Sequence, residues 1–319
     1  MIQEQQWYGK PYYSLDAFLK NTYGEKLYKI AVNAGFTCPN RDGSLGKHGC
    51  LFCSAGGSGE YAVQTSAYPS ISQQITAGIS LFHHKQTGQR FIIYFQAYTN
   101  TYGPISHLRS LYTQALQEAC VAGISIATRP DCISEETVTM LVNLRKEFPD
   151  KFVWIELGLQ TIHEQTALFI RRGYPLATYD RCISLLKQSQ IPTITHLILG
   201  LPGEVEEHML STITHLNQSG TWGVKLQLLH VLRDTDLAIL YEQGAYLPMT
   251  QDAYIDLVIS CLEHLSPDIV IHRLTGDGSR DLLLAPLWSL QKRTVLNRLH
   301  HTMKLRAAHQ GRLYERHIP

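Results

Sequence analysis

Seven short apolar segments alternate with helical stretches along most of the chain. The segments read KLYKIAVNAGF, FIIYFQAY, GISIATRPD, FVWIELGLQ, THLILGLPGE, GVKLQLLHV and DIVIHRL. Nearly continuous apolar runs are typical of parallel strands that helices cover on both faces. Helical spacing of apolar residues predicts helices near 70–85, 105–121, 176–189, 205–219 and 250–265, with Ser134 as the N-cap of a further helix. This order predicts a parallel α/β architecture, and periodicity alone does not choose between an open sheet and a barrel.

Length and composition limit the protein class. The chain has 319 residues, of which 44% are apolar and 17% charged, enough for one large α/β domain with extensions. The N-terminal MIQEQQWYGK has no apolar core of a secretory signal, and no run of about 18 apolar residues predicts a membrane span. Seven cysteines are an odd number, which argues against a disulfide framework. We therefore expect a cytoplasmic protein whose thiols bind metal, react or pack.

Basic residues are concentrated at one end of the chain. Residues 291–319 contain seven Lys or Arg and one acidic residue, a net charge of +6. The remaining residues carry 21 basic and 26 acidic side chains, a net charge of −5. Within this tail, Val295, Leu299 and Met303 recur at i, i+4 spacing, so they predict a helix whose apolar stripe docks on the main domain. The asymmetry makes nucleic acid a candidate partner.

Three cysteines lie close together in residues 33–60. Cys38, Cys50 and Cys53 have the spacing C-x11-C-x2-C. Three thiolates are one ligand short of a closed iron–sulfur or structural zinc site. A four-iron four-sulfur cluster would leave one iron open to a small molecule, whereas zinc could recruit His48 as a fourth ligand. Three unconnected free thiols are the remaining interpretation.

Polar residues and glycines also follow the apolar segments where each strand is expected to end. In parallel α/β folds ligands bind at the carboxyl ends of the strands. Each residue also has a structural interpretation, because Arg129 could pair with Asp131, Glu156 could be a satisfied core acid, and glycines could shape a turn. The candidates are Gln96, Tyr98, Thr99, Asn100, Thr128, Arg129, Asp131, Glu156, Gln160, Gly200, Gly203, Glu204, His230 and Arg233.

Taken together, these motifs resemble a known enzyme family. The three-cysteine loop, TRPD, ELGLQT, RRGYP and HLILGLPGE occur in the order seen in radical S-adenosylmethionine (SAM) enzymes. The chain is most similar to the Elp3-like branch and to its small bacterial members, which contain little more than the catalytic core. The resemblance covers about residues 25–290. It implies a partial (β/α)6 barrel at 25–275, with an N-terminal extension at 1–24 and a basic helical extension at 276–319.

The resemblance also implies cofactors and ligands. Cys38, Cys50 and Cys53 would hold a four-iron four-sulfur cluster, at which SAM is reductively cleaved to a 5′-deoxyadenosyl radical. Gln160 and Arg172 resemble the residues that bind the ribose and the carboxylate of SAM. The segment from Gly200 to Glu204, with Gly203 inside it, would pass beside the adenine. Thr128, Arg129 and Glu156 would line the same cofactor site.

Two features of the sequence leave roles open. Where many members have a Gly-Gly-Glu turn that holds the methionine amine, this chain reads FQAYTNTY, so we expect Gln96, Tyr98 and Thr99 to act there. Cys132 follows TRPD, and could either serve the chemistry or pack as a small residue. The other cysteines, which lie in helical stretches, are expected to pack: Cys120, Cys182 and Cys261.

The branch implies a substrate as well. Its members resemble enzymes of tRNA wobble-uridine modification, so tRNA is the expected partner, with an electron donor of the flavodoxin or ferredoxin type. Two alternatives remain open at this stage. One is a zinc-stabilised nucleic-acid-binding protein without radical chemistry, and the other is a radical SAM enzyme that acts on a small molecule.

Overall fold

The computed structural model describes residues 7–63, 66–82, 88, 90–276 and 278–315. Seven strands in this part of the chain form one parallel sheet that curves into a half-barrel, in the order β1-β2-β3-β4-β5-β6-β8. A short antiparallel pair, β7 with β9, lies beside it. The strands are β1 Tyr28–Val32, β2 Phe91–Phe95, β3 Val121–Thr128, β4 Phe152–Gln160, β5 Thr193–Leu199, β6 Gly223–Leu228, β7 Val231–Leu232, β8 Val270–Arg273 and β9 Leu283–Ala285. The predicted parallel α/β barrel class is confirmed.

Helices connect successive strands and cover the outside of the sheet. They are α1 Leu15–Tyr23, α2 Ile71–Ser80, α3 Ile105–Gln117, α4 Glu135–Glu147, α5 Glu164–Phe169, α6 Leu176–Gln188, α7 Glu206–Ser219, α8 Asp236–Glu242, α9 Gln251–His264 and α10 Lys292–Leu305. Ser134 caps α4 as expected, because its Oγ accepts a hydrogen bond from the Thr137 amide at 3.1 Å. Residues 83–85 of the predicted helix 70–85 lie outside the described residues.

The outward face of the sheet forms the main core with these helices. Ile93 and Phe95 of β2 and Ile124 of β3 pack in one cluster with Leu108 and Tyr112 of α3. Successive residues of a strand point to opposite faces, so the intervening residues point into the half-barrel. The strands therefore read as apolar on both faces, as the sequence indicated.

Helix α1 closes the amino-terminal end of the half-barrel. Leu19 packs in a second cluster with Ile92, Trp154 and Ile194, which belong to the inward face. Phe18 makes edge-on aromatic contacts with Trp154 at 6.2 Å and Trp222 at 4.9 Å between ring centroids. The N-terminal extension is thus packed against the barrel. The boundaries predicted at 24/25 and 275/276 stay predictions.

The carboxyl-terminal extension also docks on the barrel. Val295, Leu299 and Met303 of α10 are buried, which confirms the predicted apolar stripe. The Gln310 side chain accepts from the Tyr13 amide at 2.9 Å and donates to the carbonyls of Ser266 and Ile269. In the described part of the chain, no helix has the length and apolar character needed to cross a membrane.

Leu19→Ala should lower the free energy of unfolding by about 2–5 kcal/mol. Leu19 is only 1% exposed, so its truncation leaves a cavity among the side chains around it. The measurement is urea denaturation followed by circular dichroism. Leu305→Ala is the matched control. Leu305 is 74% exposed, so its truncation should change stability by no more than about 0.5 kcal/mol. Equal losses in the two variants would contradict the role assigned to α1.

Candidate active site

A cavity of about 560 Å³ opens at the carboxyl ends of the strands and extends into the half-barrel. All three cysteines of the sequence motif lie on its wall. Seven of the predicted candidates are not among the residues that line it: Asn100, Asp131, Cys132, Gly200, Gly203, Glu204 and Arg233. The predicted residues that it brings together are Cys38, Cys50, Cys53, Gln96, Tyr98, Thr99, Thr128, Arg129, Glu156, Gln160, Arg172 and His230.

Side chains next to the cysteines hold the cysteine loop in place. The Asn40 side-chain amide donates to Cys50 Sγ at 3.4 Å and to the Arg171 carbonyl at 2.8 Å. The Arg41 guanidinium donates to the carbonyl of Cys53 at 2.7 Å and to that of the next residue. The loop is therefore fastened both to itself and to the segment that follows α5.

The environment of Cys50 and Cys53 favours the protonated thiol until a metal binds. Burial raises the pKa of Cys50 to about 11, and the neighbouring Cys53 adds to this effect. Burial also raises the pKa of Cys53, although the charge of Arg41 opposes it. Metal binding must therefore displace protons, as it does at thiolate sites generally.

The three thiols fit an iron–sulfur cluster better than a single ion. Within the residues described above, no three His, Cys, Asp or Glu side chains converge as a single-ion site requires. Zinc needs about four ligands, each about 2.0–2.3 Å from the metal. His48, the proposed fourth zinc ligand, is exposed and is not on the cavity wall. A cluster binds each cysteine at a different iron, so it suits thiols spread along one wall.

Gln96 and Tyr98 position the loop that follows the cysteines. The Gln96 side-chain amide donates to the Ser58 carbonyl at 2.6 Å, and the Tyr98 hydroxyl donates to the Ala55 carbonyl at 2.6 Å. A Cβ at Gly57 would lie 2.4 Å from the Tyr98 ring, so only glycine allows this approach. Both side chains line the cavity, and their contact with the methionine amine stays a prediction.

Arg129 and Thr128 continue the wall after β3. Arg129 donates two hydrogen bonds to Asp131, at 2.9 and 2.8 Å, and its guanidinium lies 5.0 Å from the Tyr174 ring centroid. Thr128 Oγ1 shares a hydrogen bond of 2.6 Å with Thr101. Burial, followed by the charge of Asp131, raises the pKa of Cys132 to about 12, so its thiol stays protonated at neutral pH.

Gln160 and Arg172 differ in how many hydrogen bonds their side chains form with the protein. Arg172 is buried and donates to the carbonyls of Leu159 and Thr161 at 3.1 and 2.5 Å. It also donates to the Tyr174 carbonyl and to Glu164. Gln160 adopts a left-handed backbone conformation, φ 68°, and its buried Oε1 has no hydrogen-bond partner among the described residues. An unsatisfied buried acceptor at a cavity wall is what a ligand hydroxyl would satisfy.

Glu156 lies deeper, in the middle of β4, and is fully buried. Its Oε1 accepts from Lys29 Nζ at 2.7 Å and Ser125 Oγ at 2.5 Å. Its Oε2 accepts from Lys225 Nζ and lies 2.6 Å from His196 Nε2. The satisfied acid considered from the sequence is therefore what the structure shows, although Glu156 also lines the cavity.

The partners of Glu156 were not identified from the sequence. Burial alone would raise the pKa of Glu156, but Lys225 and Lys29 hold it well below its usual value. Burial lowers the pKa of Lys225 to about 7, and burial with the charge of Lys225 lowers that of His196 to about 4. A single Lys or His inside an apolar strand was the available signal, as in YKIAV, GVKLQL and THLIL.

The predicted adenine segment follows β5, whose Ile198 lines the cavity. The Gly200 carbonyl accepts from the Tyr246 hydroxyl at 3.0 Å, and a Cβ at Gly200 would lie 2.9 Å from Met249 Sδ. Gly200 has φ 84° and Gly203 has φ 81°, a conformation that favours glycine. The turn and packing roles of these glycines are thus visible, and their contact with adenine stays a prediction.

Comparison with known proteins identifies the family. Residues 42–216 match the model of the Radical SAM superfamily, and residues 221–305 match the Radical_SAM C-terminal domain. The chain belongs to the radical SAM superfamily. YtqA of Bacillus subtilis is 38% identical over 307 residues, which cover 96% of this chain and 94% of that protein. The superfamily uses a four-iron four-sulfur cluster and SAM, and the cavity described above has the thiols for the first.

Two more distant matches belong to the Elp3-like branch. A tRNA uridine(34) acetyltransferase of Methanocaldococcus jannaschii is 27% identical over 148 residues, covering 46% of this chain and 26% of that protein. The structure of Elp3 from Methanocaldococcus infernus has a TM-score of 0.65 at 15% sequence identity. It covers 89% of this chain, which spans 64% of the Elp3 chain. The radical SAM fold is therefore shared over most of this protein.

Replacing Cys38, Cys50 or Cys53 by Ala should abolish iron binding. Anaerobically reconstituted wild type should carry about four irons per chain and absorb broadly in the visible region. Iron analysis and absorbance spectra make the measurement. Cys120→Ala and His48→Ala are controls, since neither residue lines the cavity, and both should retain full iron content. Stoichiometric zinc without iron, or loss of metal in His48→Ala, would contradict the cluster.

Proposed function

We propose that this radical SAM protein modifies tRNA at the wobble uridine, in the cytoplasm, with an electron donor of the flavodoxin or ferredoxin type. The observation that carries the radical chemistry is the convergence of three thiols and the unpaired Gln160 carbonyl on one cavity. The tRNA substrate is supported by the partial match to a tRNA uridine(34) acetyltransferase. It is also supported by the predicted basic extension.

The chain's own residues would prepare the site for this chemistry. When bound, the cluster and SAM supply reductive cleavage and hydrogen abstraction. Cys38, Cys50 and Cys53 would hold the cluster, and Arg41 favours the thiolate form of Cys53. Gln160 Oε1 would accept a hydrogen bond from a ribose hydroxyl. The buried walls around Thr99 and Thr128 would exclude water from the reacting atoms.

Gln160→Met should weaken SAM binding by about 2- to 10-fold, the effect of one neutral hydrogen bond. Protein stability should be unchanged, because Oε1 has no partner in the described structure to lose. Calorimetric titration of the cluster-loaded protein makes the measurement.

Arg172→Met is the contrasting variant. Arg172 is 2% exposed and binds three backbone carbonyls, so its loss should lower stability by about 3 kcal/mol and weaken SAM binding as well. A Gln160→Met protein that binds SAM as wild type does would contradict the assignment of the ribose contact.

The proposed RNA surface is helix α10 and the loop after it. Acidic residues of α9 pair with part of its basic face. Arg298 binds Asp252 at 2.5 Å, and Arg306 binds Asp256 at 2.7 Å. Further along, Arg312 pairs with Glu263. The surface is therefore less basic than the sequence count indicated, and Arg316 lies outside the described residues.

Reversing Arg298, Lys304 and Arg306 to Glu should lower the slope of log affinity for tRNA against log salt by about two to three units. Asp252→Asn with Asp256→Asn should have the opposite effect, because it frees two arginines for phosphate contacts. Filter-binding titrations between low and moderate salt make the measurement, and iron content is the control for folding. Unchanged RNA affinity in both variants would remove this helix from the interface.

A small-molecule substrate is the second candidate, and one observation favours it. Lys29 and Lys225 line the inner part of the cavity, below the cysteine-bearing rim. Charged groups so far inside a barrel are positioned to bind a molecule that enters the cavity whole. A radical SAM enzyme that binds no tRNA at low salt but consumes SAM with a small acid would establish this candidate.

A further inference from the structure

The inward side chains of the half-barrel form three successive layers. At the amino-terminal end Ile92, Trp154 and Ile194 are apolar. Two residues further along the same strands, the side chains are polar, because β2, β4 and β5 place Tyr94, Glu156 and His196 there. The cysteine loop and Gln160 form the mouth beyond them. Lys29 of β1 and Lys225 of β6 reach the polar layer from the two sides.

Glu156 has no capacity left for a ligand, whereas the lysines do. Each carboxylate oxygen already has two polar partners. Lys29 Nζ donates to Glu156, and Lys225 Nζ donates to Glu156 and, at 3.2 Å, to the Tyr94 hydroxyl. An ammonium group has three donors. Among the described residues, these contacts leave donors on both lysines, and both side chains line the cavity.

The polar layer also carries an excess of positive charge. Two lysines share one carboxylate. Burial, followed by the charge of Lys225, lowers the pKa of His196 to about 4, so His196 stays neutral near pH 7 and does not change the charge of the layer. Excess buried charge costs free energy unless a counter-charge is present. Burial lowers the pKa of Lys225 to about 7, because the buried ammonium group is less stable than one in water.

We propose that Lys29 and Lys225 bind the carboxylate or phosphate group of a small molecule inside the half-barrel, which deepens the second candidate function given above. The ammonium donors would form charge-assisted hydrogen bonds to the anion, and the anion would balance the layer's positive charge. The rest of the substrate would then extend toward the mouth, where the cysteines lie. The assignment of this molecule as a substrate rests on the radical SAM chemistry proposed above. The anion site itself does not.

The test is anion-dependent stabilisation of the cluster-loaded protein. Potassium acetate and potassium phosphate replace potassium chloride at constant ionic strength, and calorimetry measures the melting temperature. Saturable stabilisation by either salt supports the site, since a ligand of the folded state raises stability. Stabilisation by acetate identifies a site for carboxylates. Stabilisation by phosphate but not by acetate identifies a site for phosphate groups. Equal melting temperatures in all three salts would overturn the proposal.

Lys29→Met and Lys225→Met should each lower the affinity for the anion by about tenfold or more. Lys151→Met is the matched control. Lys151 is a partly buried lysine that donates to the Leu116 and Glu118 carbonyls and does not line the cavity. It should bind the anion as wild type does, whatever its stability. A control variant that loses anion binding equally would overturn the assignment.

A measurement on wild type keeps the test independent of those variants. Acetate stays ionised between pH 6 and 8, while Lys225 loses its proton as pH rises through about 7. Acetate affinity should therefore fall by at least about threefold over that interval. An affinity that does not change with pH would count against Lys225. The charged and titratable groups around this lysine are Lys29, Tyr94, Glu156, His196, His272 and Arg273.

Saturating SAM separates this site from the cofactor's own. Anion binding that persists with SAM bound supports a distinct substrate site, whereas its loss would assign the lysines to the cofactor carboxylate and overturn the proposal. Iron content and tRNA affinity are measured on the same preparations. A protein without tRNA affinity that still binds acetate refutes the tRNA substrate alone, and the reverse result refutes the anion site alone.

Discussion

The interior of the half-barrel depends on one buried carboxylate. Glu156 lies on β4, the central strand of the sheet order, and it is bound by lysines from β1 and from β6. Those strands are far apart in the sheet, so they can share one carboxylate only where the sheet curves strongly. Apolar side chains of equal volume could supply similar stability, but removal of one ionic partner leaves an unpaired buried charge. The network thus links the curvature of the sheet to one set of side chains.

This polar layer also separates two parts of the interior that have different tasks. Below it, Trp154 and Trp222 pack under Phe18 of α1 and close the barrel. Above it, the residues that follow β2 hold the loop after the cysteines, because Gln96 and Tyr98 bind its backbone carbonyls. The cysteine loop itself has little regular structure, and the side chains of Asn40 and Arg41 fasten it. Positions on rigid elements are what an ordered cofactor site requires.

The order of elements, and the position of the three cysteines at the carboxyl ends of the strands, could be predicted from the sequence because their signals are local. Strand length, helical spacing and the C-x2-C turn are each contained in a few residues. The partners of Glu156 could not, since Lys29 lies 127 residues away and no local pattern joins the two. Arg172 was predicted to serve a cofactor carboxylate, and its buried contacts with Leu159 and Thr161 show an additional structural role. Hydrogen bonds between a buried guanidinium and distant backbone carbonyls can be seen only in the three-dimensional structure.

Charge counted along the chain differs from charge counted over a surface. The basic extension has a net charge of +6, yet α10 packs beside α9, whose acidic residues face Arg298 and Arg306. Both arginines are about half exposed, and exposed ion pairs of this kind contribute only about 0–1 kcal/mol each. A phosphate backbone could displace Asp252 and Asp256 from the two arginines at a small cost in free energy, since counterion release favours each new contact. The pairing therefore weakens a polyanion site on this helix without abolishing it, and it makes affinity depend on α9 as much as on α10.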